Sequence, residues 1–292
     1  APEDAEAVAA AVRAAGGDVS GVSSASRWGL VRATLPLSAV PALASRGDVQ
    51  WIEERPPVAT QNDKAVAASH LNASAAWQAL GLTGKGQLVG HADTGLDTGV
   101  TNTIHADLRD NIRAIIARGR PGDASDRNGH GTHTAGSILG SGAASAGQFR
   151  GVAWEAQLVH QSVVDSYGYF SGLPADLYEL FAETYSYGAC VHSDSWGSDV
   201  FGAYDADCRS ADLFAWDHPD HLAVFAAGNS GRDGDANGVV DTGAICSPAA
   251  AKNVLTVGAA ESDRPAGTGG YTAKTYYAFR DSYYPYTRWF PV

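Results

Sequence analysis

The stretch Asn128-Gly129-His130-Gly131-Thr132-His133-Thr134-Ala135-Gly136 places a histidine at the start of a run of small residues, which predicts a closely packed helix. Earlier in the chain, the apolar run Leu88-Val89-Gly90-His91-Ala92 ends in Asp93 and predicts a buried strand. A carboxylate at such a strand end can accept a hydrogen bond from a nearby imidazole and fix its tautomer. We therefore predict that Asp93 orients His130. Asp97 is the competing carboxylate, but it lies further out in the turn that follows.

A second histidine, His133, lies on the same predicted helix, three positions after His130. It points along a different part of the helix surface, and we expect it to be hydrogen-bonded in the core. A zinc site built on these two histidines is not favoured, because it needs a third ligand and usually an i, i+4 spacing.

From about residue 64 onward, apolar runs alternate with helical segments. Uniformly apolar strands that are separated by helices indicate a parallel sheet covered on both faces, and therefore an α/β fold. Ligands of such sheets bind beyond the carboxyl ends of the strands, where Asp93 and Asn229 are expected. The predicted strands are Gln87–Ala92, Gln157–Val164, Ala189–Ser193, Leu222–Ala227 and Val254–Ala259. The predicted helices are Ser74–Leu80, Gly131–Leu139, Pro174–Tyr187 and Ala206–Trp216.

Residues 1–61 have a different pattern and are predicted to form a separate small domain. Their order of helices and strands is typical of an α+β sandwich of the split βαβ, or ferredoxin-like, kind. The polar, turn-rich segment Pro56–Asp63 is expected to be a linker, and residues 62–292 form the larger domain. The elements predicted in the small domain are helices at Ala5–Ala15 and Ser38–Ser45 and strands at Val19–Ser24, Trp28–Pro36 and Val49–Glu54.

Composition excludes several classes of protein. The chain has 292 residues, of which 45% are hydrophobic and 18% charged, as in globular proteins with one large and one small domain. A formal net charge of −12 argues against binding to nucleic acid or to anionic membranes. The longest apolar runs, such as Leu222–Ala227, are too short to cross a bilayer. The chain begins at Ala1 without a signal segment, so a signal is expected to be either removed or absent.

The three cysteines, Cys190, Cys208 and Cys246, are too few for a disulfide scaffold and lack metal-ligand spacing. One bridge with one buried thiol would suit a secreted enzyme. Cys208–Cys246 is then the favoured pair, because both residues lie near loop ends. Three buried free thiols are the alternative.

Two features follow the predicted strand Leu222–Ala227. Asn229 ends that strand, and its side-chain amide can donate a hydrogen bond to the oxyanion of a tetrahedral intermediate. The next loop alternates oxygen-bearing side chains around a turn glycine, which is typical of a calcium site. Ala244 stands where such loops usually have a glutamate, so an aspartate would have to replace it. The expected ligands are Asp233, Asp235, Asn237 and Asp241.

Four motifs together resemble the subtilisin-like serine proteases (subtilases), in that family's order. They are Asp93-Thr94-Gly95, His130-Gly131-Thr132-His133, Ser195-Trp196-Gly197 and Ala226-Ala227-Gly228-Asn229. The resemblance implies a subtilisin-like three-layer sandwich with a mainly parallel sheet. The segments that resemble most closely the oxidatively stable alkaline protease branch are Ala92–Gly99, Leu173-Pro174, Cys190–Gly197 and Ser247–Ala259.

The resemblance also implies a function, that of a secreted endopeptidase that cuts proteins or peptides through an Asp-His-Ser triad. By this likeness Asp93 orients the imidazole and His130 is the general base and then the general acid. Asn229 would polarise the carbonyl oxygen of the scissile bond. Because the predicted calcium loop directly follows Asn229, bound calcium would stiffen the oxyanion side of the cleft.

Substrate-binding residues follow from the same resemblance. Ser195, Trp196 and Gly197 would form one edge segment, and the stretch from Gly168 to Gly172 would form the other. Both would pair with the substrate backbone as added strands. The pocket for the side chain before the cut would be walled by Ala226, Ala227 and Gly228.

The sequence departs from the family pattern at the nucleophile, which in subtilases lies in a Gly-Thr-Ser motif that opens a late helix. The nearest string, Gly267-Thr268-Gly269-Gly270, has no serine and precedes no helical pattern. We therefore expect the nucleophile to lie beyond Val292 and the 292-residue product alone to hydrolyse nothing.

Residues 1–61 resemble the family's propeptide, which assists folding and inhibits the enzyme. Its C-terminal tail would occupy the cleft, and a cut is expected near Gln61–Asn62. A permanent N-terminal domain is the alternative.

Two other functional classes remain open. One is a catalytically inactive binding or inhibitory module that uses the same cleft. The other is a dinucleotide-binding α/β protein, which is weaker because the glycines of Gly81–Gly90 precede a strand instead of following one. No function is assigned to Tyr271–Val292.

Overall fold

The structure is a computed structural model of the 292-residue chain, and it describes residues 4–24, 29–52, 66, 71–231 and 242–258. The chain divides into two compact units, Ala1–Pro57 and Val58–Val292. The four predicted calcium ligands and the segment Tyr271–Val292 lie outside the described residues.

The first unit joins an alanine-rich helix to a small antiparallel sheet. The first helix buries Ala5, Ala9 and Val12, which recur at helical spacing. It ends before Gly16, whose φ of +81° suits a glycine and few other residues. The elements are α1 (Ala5–Ala14), β1 (Asp18–Ser23), β2 (Leu30–Thr34) and α2 (Val40–Ala44).

The predicted strand Val49–Glu54 is wrong where the structure describes it, because residues 49–52 lie outside any strand. Its apolar alternation does not reflect a buried sheet face, since Trp51 is exposed. The sheet in the described part of this unit consists of β1 and β2 alone. The ferredoxin-like arrangement and the propeptide role therefore stay predictions.

The second unit is built on a parallel sheet, in which the described residues supply six strands in the order β4-β5-β3-β6-β7-β8. Strand β3 lies inside the sheet, between β5 and β6, and parallel α/β sheets bind their ligands beyond the carboxyl ends of their strands. Asp93 lies at the carboxyl end of β3 and so at the centre of that edge. The strands are β3 (Leu88–Asp93), β4 (Ile112–Ala117), β5 (Gln157–Ser162), β6 (Val191–Asp194), β7 (Leu222–Ala226) and β8 (Leu255–Val257).

Helices lie on both faces of this sheet. Helix α5 contacts β3 and β5 on one face, whereas α6 contacts β3, and α7 contacts β7, on the other. The core beneath α6 and α7 contains Phe181, Phe214 and Phe225, each fully buried. Burial of such a side chain contributes roughly 1.5–3 kcal/mol. The helices are α3 (Ala73–Leu80), α4 (Ala106–Arg109), α5 (His130–Leu139), α6 (Leu177–Tyr185) and α7 (Ala206–Asp217).

The predicted α/β class with a mainly parallel sheet is confirmed. Strand β4 and the short helix α4 were not predicted, since Arg113 interrupts the apolar run of β4 at the edge of the sheet. Helix α6 begins at Leu177 and not at Pro174. Asp176 is its N-cap, and its carboxylate accepts a hydrogen bond from the Tyr178 backbone N–H at 3.0 Å.

The favoured disulfide between Cys208 and Cys246 is absent, and the three cysteines are free thiols. The two side chains point at different neighbours. Cys208 Sγ lies 3.5 Å from Ser247 Oγ, whereas Cys246 Sγ lies 3.4 Å from the Ala226 carbonyl oxygen. Both thiols are buried, as in the alternative prediction, but Cys190 is only partly buried.

Helix α5 covers only part of its face of the sheet. On that face Val191, Leu222, Leu255 and Val257 are exposed in the described structure. A cavity of about 970 Å³ lies beside them, between α5 and strands β6 and β7. None of the helices in the described ranges has the length and apolar character needed to traverse a bilayer.

His221 is an unusual member of the core beneath α6 and α7. Its ring packs among Phe181, Phe214 and Tyr185, and neither ring nitrogen has a hydrogen-bond partner among the described residues. Burial lowers the pKa of His221 to about 4 from its usual 6.5. Between these pH values the unfolded chain binds a proton on His221 that the folded chain does not. The contribution of His221 to the free energy of unfolding is therefore fully present above pH 6.5 and is lost progressively as the pH falls toward 4.

We predict that His221→Phe, which keeps a ring and removes both nitrogens, stabilises the protein at acid pH relative to the wild type. The wild type loses on the order of 3 kcal/mol through this residue as the pH falls, and the variant does not. Urea unfolding of both proteins at neutral pH and at a pH near the shifted value measures the difference. The same stability gap at both pH values would contradict the prediction.

Candidate active site

The structure brings Asp93 and His130 into direct contact. His130 Nδ1 lies 2.8 Å from Asp93 Oδ1, which is hydrogen-bond distance. The Asp93 side chain is 1% exposed, whereas that of His130 is 46% exposed. The pair is thus a buried carboxylate at a strand end beneath an imidazole that reaches solvent.

The Asp93 carboxylate remains ionised in spite of its burial. Burial raises the pKa of Asp93, but hydrogen bonding and attraction from His91, then hydrogen bonds from His130 and the Thr94 backbone N–H, lower it. The lowering effects dominate, so the pKa of Asp93 lies well below its usual range. The Thr94 backbone N–H donates to Oδ1 at 2.7 Å.

An ionised Asp93 can only accept hydrogen bonds, and this fixes the tautomer of His130. Nδ1 must carry the proton that it donates to Oδ1, so in the neutral ring the lone pair is on Nε2. Nε2 has no hydrogen-bond partner in the part of the chain that the structure describes. The geometry is that of an imidazole poised to take a proton from a group on its solvent side.

A glycine at the first turn of α5 allows this contact. A Cβ on Gly131 would run into the Gly95 carbonyl oxygen and would lie 3.0 Å from Asp93 Cβ. Any larger residue would push the helix away from the end of β3, and His130 with it. Gly129, which precedes the helix, has a φ of +94°.

Asp126 organises the loop that precedes α5, and the sequence analysis missed it. Its Oδ1 accepts from the Thr94 hydroxyl at 2.8 Å and from the Gly129 backbone N–H at 2.8 Å. Its Oδ2 accepts from the Thr132 backbone N–H and hydroxyl at 2.8 and 2.6 Å. The signal that could have revealed it is an aspartate in the turn before the helix, where its carboxylate can receive first-turn N–H groups.

Thr94 completes the connection between β3 and α5. Its hydroxyl donates to Asp126 and accepts from the Gly131 backbone N–H at 2.9 Å. Thr132 also accepts, at its hydroxyl, from the Asp97 backbone N–H at 2.8 Å.

Asp97, the competing carboxylate, instead accepts from the His105 backbone N–H through Oδ2. Of the two aspartates, Asp93 is the one with a hydrogen bond to His130.

The expectation that His133 is hydrogen-bonded in the core was wrong. His133 is exposed and lines the cavity between α5 and strands β6 and β7. Helix α5 buries Gly131, Ala135 and Leu139, which are four residues apart and therefore lie on one face of the helix. Position 133 lies outside that buried face.

Ser195, Trp196 and Gly197 follow directly after β6, at the same edge of the sheet as Asp93. Trp196 Nε1 donates to the Ala92 carbonyl oxygen at 2.9 Å, which ties this segment to the residue before Asp93. The indole also packs against Phe225. A Cβ on Gly197 would collide with the Cys246 thiol, so the segment follows a fixed course.

Gly168 and Gly172 lie in a loop of turns after β5. Gly168 has a φ of +90°, and the Gly172 backbone N–H donates to the Val163 carbonyl oxygen at 2.9 Å. The described loop is not a strand. Phe170, between the two glycines, has its ring centroid 6.0 Å from that of Trp196, so the two segments predicted to flank a substrate are neighbours.

Ala226, Ala227, Gly228 and Asn229 end β7 and continue beyond it, two strands from β3. The Ala227 backbone N–H donates to the Val257 carbonyl oxygen at 2.8 Å. Asn229 is exposed, and its amide makes no hydrogen bond to Asp93 or His130 in the described structure. The structure therefore joins Asp93 to His130 and leaves Asn229 apart, at the same edge.

The residues of the predicted calcium site, Asp233, Asp235, Asn237 and Asp241, lie outside the described residues. Within the described ranges there is no cluster of three or more histidine, cysteine or acidic side chains suited to a metal ion.

The fold and this pair of residues define an α/β protein with a buried acid and an exposed imidazole base at the carboxyl edge of its sheet. A profile of the subtilase family, Peptidase S8, matches residues 84–288, which is more than two thirds of the chain. The chain belongs to the subtilase family.

Curated relatives carry the names of serine proteases. The chain is 33% identical over 207 residues to serine protease AprX of Bacillus subtilis. This match covers 67% of this chain and 43% of AprX. It is 33% identical over 199 residues to the serine protease/ABC transporter B family protein tagA of Dictyostelium discoideum. That match covers 66% of this chain and 11% of tagA, so the chain spans only a small part of that relative.

Solved structures show a similar overlap. Sphericase is 28% identical, with a TM-score of 0.48, and the match covers 68% of this chain and 62% of sphericase. The S41 psychrophilic protease is 29% identical, with a TM-score of 0.46, over 63% of this chain and 57% of that protein. The family assignment rests on the family profile.

We predict that Asp126→Ala destabilises the protein by about 2–3 kcal/mol, because it leaves several donors around the start of α5 without their charged acceptor. Asp110→Asn is the matched control. Asp110 is an exposed aspartate at the C-cap of α4, and its replacement should change stability by less than about 0.5 kcal/mol. Urea unfolding of the three proteins measures both effects. Equal stability of the two variants would show that Asp126 does not organise this loop.

Proposed function

We propose that this protein is a serine endopeptidase of the subtilisin-like type that cuts protein or peptide substrates. The observation that carries the proposal is the 2.8 Å contact between the ionised carboxylate of Asp93 and Nδ1 of an exposed His130. Membership of the subtilase family and the serine-protease names of the relatives support it.

In the proposed reaction His130 Nε2 takes the proton from a serine hydroxyl, and the serine oxygen attacks the scissile carbonyl carbon. Asp93 stabilises the imidazolium that forms, and His130 then gives the proton to the leaving amine. Asn229 would donate to the oxyanion from the end of β7. We propose that the serine comes from outside the part of the chain that the structure describes.

We further propose that the substrate lies across the carboxyl edge of the sheet. Its backbone would pair with the segment Ser195–Gly197 on one side and with the loop from Gly168 to Gly172 on the other. Ala226, Ala227 and Gly228 would wall the pocket for the residue before the cut. The tie between Trp196 and the Ala92 carbonyl oxygen supports this proposal, because it holds one flanking segment beside Asp93.

The remaining proposals rest on sequence resemblance. Residues 1–61 would be a propeptide that assists folding and inhibits the enzyme by occupying its cleft. It would be removed by a cut near Gln61–Asn62. The enzyme would be a secreted zymogen of the oxidatively stable alkaline protease branch. The compact first unit, Ala1–Pro57, supports a separable N-terminal region.

We predict that peptidase activity depends on His130. The assay uses casein and a chromogenic peptide, and is run on the 292-residue chain and on any longer product that its gene encodes. A product with a Gly-Thr-Ser segment should hydrolyse both substrates, and His130→Ala should lower kcat/KM by at least about 10⁴-fold. His105→Ala, an exposed histidine at the start of α4, should leave the rate unchanged. Hydrolysis that survives His130→Ala would contradict the proposal, and peptide binding without hydrolysis would favour an inactive binding module.

A calcium site in the loop after Asn229 predicts a thermal shift. Added CaCl₂ should raise the Tm by about 5 °C relative to EGTA. The double variant Asp233→Asn, Asp235→Asn should lose the shift, because it removes two negative ligands, while Asp110→Asn should keep it. A shift that persists in the double variant would place the calcium elsewhere, and no shift in the wild type would remove the site.

A further inference from the structure

A row of buried polar side chains lies behind Asp93, on the side away from solvent. His91 and His160 are paired residues on the adjacent strands β3 and β5, and each is fully buried. Both belong to the face that α5 covers, since His91 contacts Thr134 of that helix. Burying a histidine raises the free energy of the folded state unless its ring nitrogens are hydrogen-bonded. The partners of these two rings therefore indicate why histidines are present here.

The contacts form a continuous path to the carboxylate. His160 Nδ1 lies 3.0 Å from His91 Nδ1. His91 Nε2 lies 3.0 Å from the Thr134 hydroxyl oxygen and 3.5 Å from Asp93 Oδ2. The Thr134 hydroxyl oxygen lies 3.0 Å from Asp93 Oδ2. The path reaches the oxygen of Asp93 that His130 does not use.

The positions of the protons follow from counting donors and acceptors. A neutral imidazole has one N–H and one lone-pair nitrogen, so a contact between two Nδ1 atoms needs one donor and one acceptor. If His160 donates, then His91 carries its proton on Nε2 and donates toward Thr134. The Thr134 hydroxyl is then free to donate to Asp93 Oδ2. Every hydrogen in the row meets an acceptor.

The opposite direction fails at two places. If His91 donated from Nδ1, its Nε2 would accept the Thr134 hydrogen, and Asp93 Oδ2 would face a lone pair 3.5 Å away. His160 would then carry its proton on Nε2, a buried atom with no partner among the described residues. The favoured direction leaves a lone pair on that same atom, and in folded proteins buried N–H groups without an acceptor are rarer than buried acceptors without a donor.

We propose that His160, His91 and Thr134 form a directed chain of hydrogen bonds that ends on Asp93 Oδ2, and that His91 is a positioning residue for the catalytic pair. The proposal rests on the proposed function. His91 acts through Asp93. It occupies one carboxylate oxygen so that the other faces His130, and hydrogen bonds in such a row strengthen one another.

The electrostatics agree with this role. Hydrogen bonding from His91 is the first of the effects that lower the pKa of Asp93 against its burial, ahead of hydrogen bonding from His130. At the far end of the row, burial lowers the pKa of His160, and it stays neutral. The other charged or titratable groups that act on His160 are Asp126 and His192.

The tautomers test the direction of the chain without any substrate. In the 292-residue protein labelled with ¹⁵N-histidine, long-range ¹H–¹⁵N spectra at mildly alkaline pH report which nitrogen of each ring is protonated. We expect His160 to be protonated on Nδ1 and His91 on Nε2, with assignments from the single His→Phe variants. A proton on Nε2 of His160 would overturn the proposed direction.

The coupling to Asp93 is tested by ¹³C-carboxyl titration. His91→Phe keeps a ring and removes both nitrogens, and Thr134→Val removes the hydroxyl with little change of shape. In each variant the pKa of Asp93 should rise by at least about one unit. His221→Phe is the matched control, since it alters a buried histidine that does not contact Asp93. An Asp93 titration that is unchanged in His91→Phe and Thr134→Val would overturn the proposal, whether or not either variant is less stable.

Kinetics separate positioning from mere structural support. In whichever form of the protein hydrolyses peptides, His91→Phe should lower kcat by roughly tenfold and leave KM unchanged. A change in KM alone would overturn the positioning role. If no form hydrolyses peptides, the proposed function fails, but the tautomers and the Asp93 titration still decide whether the chain exists.

Discussion

One carboxylate, that of Asp93, must stay ionised although it is buried, and the second unit is arranged around this requirement. Burial of a charge costs several kcal/mol unless hydrogen bonds replace the lost water. The Thr94 backbone N–H and His130 donate to one oxygen, and Thr134 and His91 surround the other. Because these donors come from both β3 and α5, the same contacts that stabilise the charge also join the strand to the helix.

This constraint explains residues that would otherwise look like parts of a motif. Gly131 is small because the helix must approach the end of β3 closely enough for His130 to reach Asp93. Asp126 sits in the preceding loop because the start of α5 and Thr94 both need a charged acceptor there. These residues are therefore explained by the packing of the start of α5 against the end of β3. This packing leaves Nε2 of the His130 imidazole open to solvent.

Strand and helix periodicity was enough to predict the α/β class, because buried parallel strands are uniformly apolar and stand out between helices. The pairing of Asp93 with His130 could also be anticipated, since each residue lies at the end of such an element. The contact between His91 and His160 could not, because it depends on the register between β3 and β5, which has no local sequence signal. Asp126 has a local signal, as an aspartate in the turn before α5, but its bond to Thr94 depends on the path of the loop. His133 was misjudged because only the orientation of the helix decides which side of it is buried.

The most direct measurement concerns the proton between Asp93 and His130. In ¹⁵N-labelled protein the His130 ring should carry its hydrogen on Nδ1, and that hydrogen should give a strongly downfield ¹H resonance that disappears in Asp93→Asn. This result would show that an ionised carboxylate holds the imidazole with its other nitrogen open to solvent. A His130 ring protonated on Nε2 alone, with no downfield resonance and no response to Asp93→Asn, would contradict the central claim.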